Sequence, residues 1–491
     1  VSACITTSEP NPDHCRYADG DQTCAERFDG ERPFCSSSPC TPSGEGFYGC
    51  VDELPTDECY YACGDDKTVE EDGSCLTAGE GEGEGEGEGE GEGEGEGEGE
   101  GEGEGEGEAA CMGDADCSEG APFCDLGSGE CVDCEGTADP DGACAAADPG
   151  QPLCHVGVCV ACTEEDGSVC TGSTPLCEVE TNTCVGCEEH GQCPESACNL
   201  AAGNCIDPGD ILHVDGDAQT CPGGDGTEAM PYCTLLEAFV AAPAEALIIV
   251  HELTGNDPYV EDVALMGTAA VFGAPGEDPG WQGSNGAPAL TVGGSGVLFM
   301  RDIMIAGTQN GAPGLEVVGG SAWVEQAKIV NNTGGGIVVD GGGALVLENS
   351  FVGGNENQRI IDVVDGQLSV VFSTIGAGFG NTARALACTD GSGSTIRNSI
   401  VVSYSDQPEI DCPNIQVVDS FTEADSGMTF DDLSGWFADF EGGDFHLAPG
   451  MYPPTIETTA TWTPGDPPTD IDDDPRPTEE GPDFAGADRI P

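Results

Sequence analysis

Between residues 292 and 419 the chain repeats itself about every 24 residues. Val292-Gly-Gly, Val318-Gly-Gly, Val339-Asp-Gly, Val364-Asp-Gly and Thr389-Asp-Gly each open a turn. Strands ending in a polar step recur with them: Met300-Arg-Asp302, Val324-Glu-Gln326, Leu347-Glu-Asn349, Val371-Phe-Ser373, Ile396-Arg-Asn398 and Val418-Asp419. The polar steps are spaced 24, 23, 24, 25 and 21 residues apart. Short strands, Gly/Asp/Asn turns and this period predict a parallel β-helix, an all-β fold whose coils pair at about 4.8 Å so that like residues stack on like. About eight coils over residues 206–450 make a rod ~40 Å long.

The entrance to the rod is legible. Thr234 and Glu237 have the spacing of a capping box, with Leu235, Leu236 and Phe239 as an apolar face just ahead of the first apolar strand, Ala246–Val250. A short helix there is expected to plug the first coil; the alternative is a surface helix unrelated to the rod. Cys388 and Cys412 are 24 residues apart, one coil, and are expected to be bridged; Cys221 and Cys233 are expected to clamp the cap loop. Asp340, Asp365 and Asp390 recur 25 residues apart, each before Gly. They read either as turn chemistry or as a calcium ladder, since stacked carboxylates repel unless a cation lies between them. A second acidic run, Asp470/Asp472/Asp474, alternates like a calcium loop but lacks an EF-hand's Gly and Glu.

Ahead of the rod, cysteine governs. Twenty-five of the 29 cysteines fall within the first 205 residues, a density that belongs to an oxidising compartment. Residues 109–205 hold four quartets, 111/117/124/131, 134/144/154/159, 162/170/177/184 and 187/193/198/205, each too small to bury a core and so dependent on two bridges. The Cys-x-x-Cys pairs joining the quartets argue against zinc or redox chemistry, because basic neighbours that would lower a thiol pKa are absent. Residues 1–78 hold a further Cys-rich segment, and 79–108 are fifteen Gly-Glu pairs, expected to be a disordered spacer. Residues 451–491 form an acidic, Pro-rich tail. The opening Val1-Ser2-Ala3-Cys4 is similar to a bacterial lipobox, and the odd cysteine count agrees with Cys4 being lipidated after signal-peptide removal, with 28 cysteines left to pair; the alternative is a chance VSAC before an ordinary free or paired cysteine.

The cap and coils together resemble the right-handed parallel β-helix proteins related to pectate lyases. The tail is similar to the ending of bacterial surface proteins of the choice-of-anchor class, in Asp444-Phe-His446-Leu447, Asp470-Ile-Asp-Asp-Asp-Pro475-Arg476 and Asp483-Phe-Ala-Gly486-Ala487-Asp488. It departs from that pattern at Asp473, Tyr452-Pro453 and Arg489. The resemblance implies fold and export. It implies no activity, because β-helix proteins include lyases, hydrolases and inert adhesins.

Charge narrows the function. The chain carries 11 Lys and Arg against 94 Asp and Glu, a net of −83. It is repelled by phosphate backbones, so nucleic acid is excluded as a natural partner. A lyase cutting a polyanion wants a positive groove, whereas the coils offer only Arg301, Lys328, Arg359, Arg384 and Arg397; Arg301 and Arg397 share a repeat position four coils apart. No catalytic residue is assigned and no cofactor beyond calcium is expected. The expectation is a cell-surface lipoprotein, anchored in the outer membrane or extracellular, with a non-catalytic head that binds glycan or a surface protein. The alternative is a polysaccharide lyase or glycoside hydrolase on the same head.

Overall fold

The computed structural model describes residues 111–490, apart from 119–120, 195, 355–357, 379–382, 404–407 and 424–433, and four short strands nearer the N-terminus. Those four form two antiparallel pairs, Phe34–Cys35 with Cys50–Val51 and Lys67–Val69 with Cys75–Thr77. Cys4 and the Gly-Glu run lie outside the described residues.

Residues 111–205 are four small hairpin units. In each, the third and fourth cysteines sit directly opposite one another across the hairpin: Cys124 and Cys131, Cys154 and Cys159, Cys177 and Cys184, Cys198 and Cys205. They do not bond to each other. The first cysteine reaches the third and the second reaches the fourth, as in Cys111–Cys124 with Cys117–Cys131 and Cys187–Cys198 with Cys193–Cys205. Every quartet closes on itself this way. Helix α1, Pro140–Ala147, is held in the second unit by Cys144 and capped by the Asp139 carboxylate. The cysteine triplets near enough to share a metal ion are these disulfide-bonded sulfurs.

From Ile211 to Thr422 the chain winds into a β-solenoid with three parallel sheets of nine, eight and seven strands, making about seven turns. The interior is a continuous apolar column. Met300, Val324, Leu347, Val370 and Ile396 stack coil upon coil, each no more than 1% exposed. From the strand ending at Arg301 onward, each coil leaves the nine-stranded sheet through one left-handed residue: Asp302, Gln326, Asn349, Phe372, Asn398 and Asp419. The polar step expected at Ser373 therefore falls one residue earlier, on Phe372, because Glu348 pairs with Val371 and not with Phe372. Serines just past the corner form a buried ladder, in which the Ser350, Ser373 and Ser399 backbone N–H groups donate to the hydroxyls of Ser373, Ser399 and Ser420. Each hydroxyl donates to a carbonyl two residues back, so no buried polar group is left over at the bend.

Helix α2, Leu235–Ala241, closes the first coil. Thr234 accepts from the Glu237 N–H at 3.1 Å, while Glu237 accepts from Cys233 rather than from Thr234. Its buried face is Leu235 and Ala238, with Phe239 packed beside them; Leu236 is 51% exposed, contrary to expectation, because its position turns it away from the rod.

The last described solenoid strand ends at Thr422, and residues 434–450, expected to be rod, belong instead to the tail. The tail lies over the outer face of the eight-stranded sheet. Trp436, Phe437, Phe440, Phe445 and Trp462 bury against Phe351, Phe372, Ile400 and Phe421. Arg476, 3% exposed, anchors it by donating to Asp483 at 2.9 Å, to Asn349 at 3.2 Å and to the Gly486 carbonyl at 3.0 Å, with its guanidinium 4.1 Å from the Phe372 ring centre. At the other flank the fourth hairpin unit seats Ala197 and Ile206 on Leu247, Phe272 and Phe299 of the nine-stranded sheet.

Candidate functional site

These two flanking elements leave a cleft on the nine-stranded sheet, with a volume of about 710 Å³. Its floor is the outward face of the coils. Arg301, Glu325 and Glu348 stand in one column, followed by Val371 and Arg397. Two residues earlier on the same face come Phe299, Trp323 and Val346, and the corner supplies Asp302, Gln326 and Asn349. One wall is the stretch Glu188–Gly191 of the fourth hairpin unit, and the other is Gly465–Asp473 of the tail.

Burial shapes the electrostatics. It raises the carboxyls of Asp302 and Glu325, and the Arg301 guanidinium only partly offsets this. Glu348 is pushed to about 7, first by burial and then by the Glu325 and Asp466 charges, against the pull of Arg397 and Arg476. Asp466 behaves oppositely. Burial works to raise it, but the hydrogen bonds from Arg397 and Thr463 win and hold it below its ordinary range. His190 is 7% exposed and is driven down to about 4 by burial and by the Arg301 charge, so its ring is neutral. Its Nε2 is 3.8 Å from Glu325 and its Nδ1 has no hydrogen-bond partner.

Every Lys and Arg of residues 206–491 faces an acid. Arg301 meets Asp302 at 3.2 Å, Lys328 meets Asp278 at 4.0 Å, Arg359 meets Asp362 at 3.1 Å and Arg384 meets Asp411 at 3.4 Å. Arg397 pairs with Asp466, and Arg476 and Arg489 share Asp483. Arg301 and Arg397 do share a column, four coils apart, with two glutamates and a valine between them.

The column of Asp340, Asp365 and Asp390, read as turn chemistry or as a calcium ladder, does not align. Val339 pairs with Val363, and Val363 with Cys388. Counting on by one places Asp340 level with Val364, while Asp365 and Asp390 are level with each other. The first coil is a residue shorter than the next, so an equal spacing of 25 does not keep three residues in line. Asp340 accepts from the Gly341 N–H and Asp390 from Ser392 and Asn414, which is turn chemistry. In the second acidic run, Asp470 turns its carboxylate inward onto the N–H groups of Asp472, Asp474 and Arg489. Cys388 and Cys412 are bridged with Cα atoms 4.6 Å apart, and Cys221 and Cys233 with Cα atoms 5.6 Å apart.

Sequence reasoning passed over the cleft itself. Its signal was present: Arg301-Asp302, Glu325-Gln326 and Glu348-Asn349 are three of the polar steps used to mark the coils. What could not be read was that His190 and Asp466, over a hundred residues away on either side, close upon them.

Residues 98–211 match the model of a family of unknown function (DUF8331). The match spans the hairpin units and stops where the first solenoid strand begins. No curated protein matches the chain. The ten disulfides among the described residues are those of a protein matured in an oxidising, extracellular setting. Among the described residues no helix is long and apolar enough to cross a membrane.

Proposed function

We propose that this is a cell-surface protein, lipid-anchored through Cys4, whose solenoid head binds a glycan without turning it over. The cleft carries this reading. It sets a partly open indole, Trp323, on the same face as two in-register carboxylates, Glu325 and Glu348, with Gln326 and Asn349 at the corner. An aromatic face beside hydrogen-bonding side chains suits a pyranose, whose ring faces are apolar and whose edge is ringed with hydroxyls. The engagement of Arg301, Lys328 and Arg397 by acids leaves no basic column for polyuronate cleavage among the described residues. The hairpin units and the Gly-Glu run suit a stalk that holds the head off the surface.

The test is an oligosaccharide array probed with the full-length chain and with Trp323→Ala. Saturable binding to at least one glycan, weakened ten-fold or more in the variant, is the expected outcome. An array with no bound glycan sinks the reading.

One observation favours a second reading, a glycoside hydrolase. Burial raises Glu348 to about 7 one coil from Glu325, so a carboxyl able to hold a proton near neutrality stands beside a second carboxyl. New reducing ends from the bound glycan, lost in Glu348→Gln, would establish it.

A further inference from the structure

We propose that the ligand of the cleft is a polycationic glycan, a polymer of amino sugars whose free amines become ammonium groups on protonation. This rests on the glycan-binding reading above and narrows it to one chemical class. Three independent observations lead there.

The first is the charge balance inside the cleft. Ten of its lining residues are Asp or Glu and two are Lys or Arg. Both cations are already committed, Arg301 between Asp302 and Glu325 and Lys328 toward Asp278. Burial raises Asp302, Glu325 and Glu348, which means that their charged forms lack compensation where they stand. An acidic glycan adds repulsion. A neutral glycan donates hydroxyl hydrogen bonds but brings no charge. An ammonium brings both.

The second is His190. Its side chain is more than nine-tenths buried, lines the cleft and faces Glu325 at 3.8 Å, beyond hydrogen-bond reach. It is packed edge-on against Phe272 and Phe299, so apolar neighbours hold the ring in place. Burial keeps it uncharged, and a neutral imidazole accepts a hydrogen bond from an ammonium where an imidazolium repels one. The gap between His190 and Glu325 fits a donor that serves both.

The third is spacing. Glu325 and Glu348 are one coil apart, about 4.8 Å along the rod. That step is close to the advance of one pyranose ring in an extended chain.

The experiment uses the intact chain and calorimetric titration with four probes: a glucosamine hexamer, its fully N-acetylated counterpart, a glucose hexamer and a lysine hexapeptide. The expected result is that the glucosamine hexamer binds at least ten-fold tighter than the other three and weakens as salt is added. Glu325→Gln/Glu348→Gln should reduce that affinity at least ten-fold. The comparison between probes needs no variant, so it stands if the double variant fails to fold. Equal affinity for the free-amine and acetylated hexamers overturns the polycation proposal and leaves the glycan reading intact. Tighter binding of the lysine hexapeptide overturns it in favour of a basic peptide. If none of the oligosaccharides binds here and the array is also blank, both readings fall together.

Discussion

Arg397 and Asp466 meet across the seam between the solenoid and the tail, Nη1 to Oδ2 at 2.8 Å, 69 residues apart in the chain. Asp466 is 8% exposed and also takes the Thr463 N–H at 2.8 Å, so the pair fixes the loop that forms one wall of the cleft. Arg397→Ala should cost about 2 kcal/mol, because it leaves a buried carboxylate without its charged donor. The double variant Arg397→Ala/Asp466→Ala should recover part of that loss. Urea unfolding of the four members of the cycle measures both. A double variant less stable than the sum of the singles would show that the pair does not act as a unit.

The bridge between Cys388 and Cys412 staples neighbouring coils near the end of the rod. Replacing both by Ala should cost roughly 3 kcal/mol, the amount expected for a loop of this length. The loss should be local. Amide exchange should quicken over 395–403 while strands 321–348 keep their protection, since each coil contacts only its neighbours. Uniform quickening along the rod would contradict this.

His446 lies between Asp444 and Asp472, with Nε2 2.9 Å from the latter and the Phe351 ring edge-on at 4.9 Å. The Asp472 hydrogen bond and then, against burial, Asp444 raise it to about 9, while Asp488 faces the same group. In the unfolded chain it titrates near 6.5. A raised folded value means stability that is complete below about 6.5 and is lost as pH climbs through about 9. The loss should be no more than about 3 kcal/mol, seen as a falling Tm between those limits. His446→Gln should flatten the profile over that window. An unchanged slope would place its origin elsewhere.

Phe372 holds a left-handed backbone, φ 44°, at a corner where the other left-handed residues are Asp302, Gln326, Asn349, Asn398 and Asp419. Phe372→Asn should relieve of order 1 kcal/mol of backbone strain. It should also remove a fully buried ring that carries the Arg476 guanidinium, at about 3 kcal/mol. Packing outweighs strain, so the variant should be less stable by about 2 kcal/mol in denaturant titration. A more stable variant would reverse that ranking.

Much of the fold was written locally. Repeating Val-Gly turns and polar steps declare a solenoid because stacked coils must place like residues at like positions, and a residue miscounted by one would point its side chain to the other face. That sensitivity explains the single slip at Ser373: Val371 and Phe372 are both apolar, so composition alone could not say which of them turned the corner. The Asp340, Asp365 and Asp390 spacing misled for a related reason. Coils vary in length at their loops, and regular numbering in the chain is not regular height on the rod.

The candidate site lay further from reach. Glu325 and Glu348 are neighbours by register, and the period alone brings them together. Their shifted carboxyls, the neutral His190 and the paired Arg397 depend on what covers them, which is set by a hairpin unit before the rod and a tail after it. The sequence by itself determined the coil, its capping helix, the closed cysteine quartets and the acidic surface, since each follows from short-range periodicity, chain entropy or charge count. Only the tertiary structure decided which outward face is buried into a cleft, because the covering segments come from a hairpin unit before the rod and a tail after it, and nothing local in the chain encodes their approach.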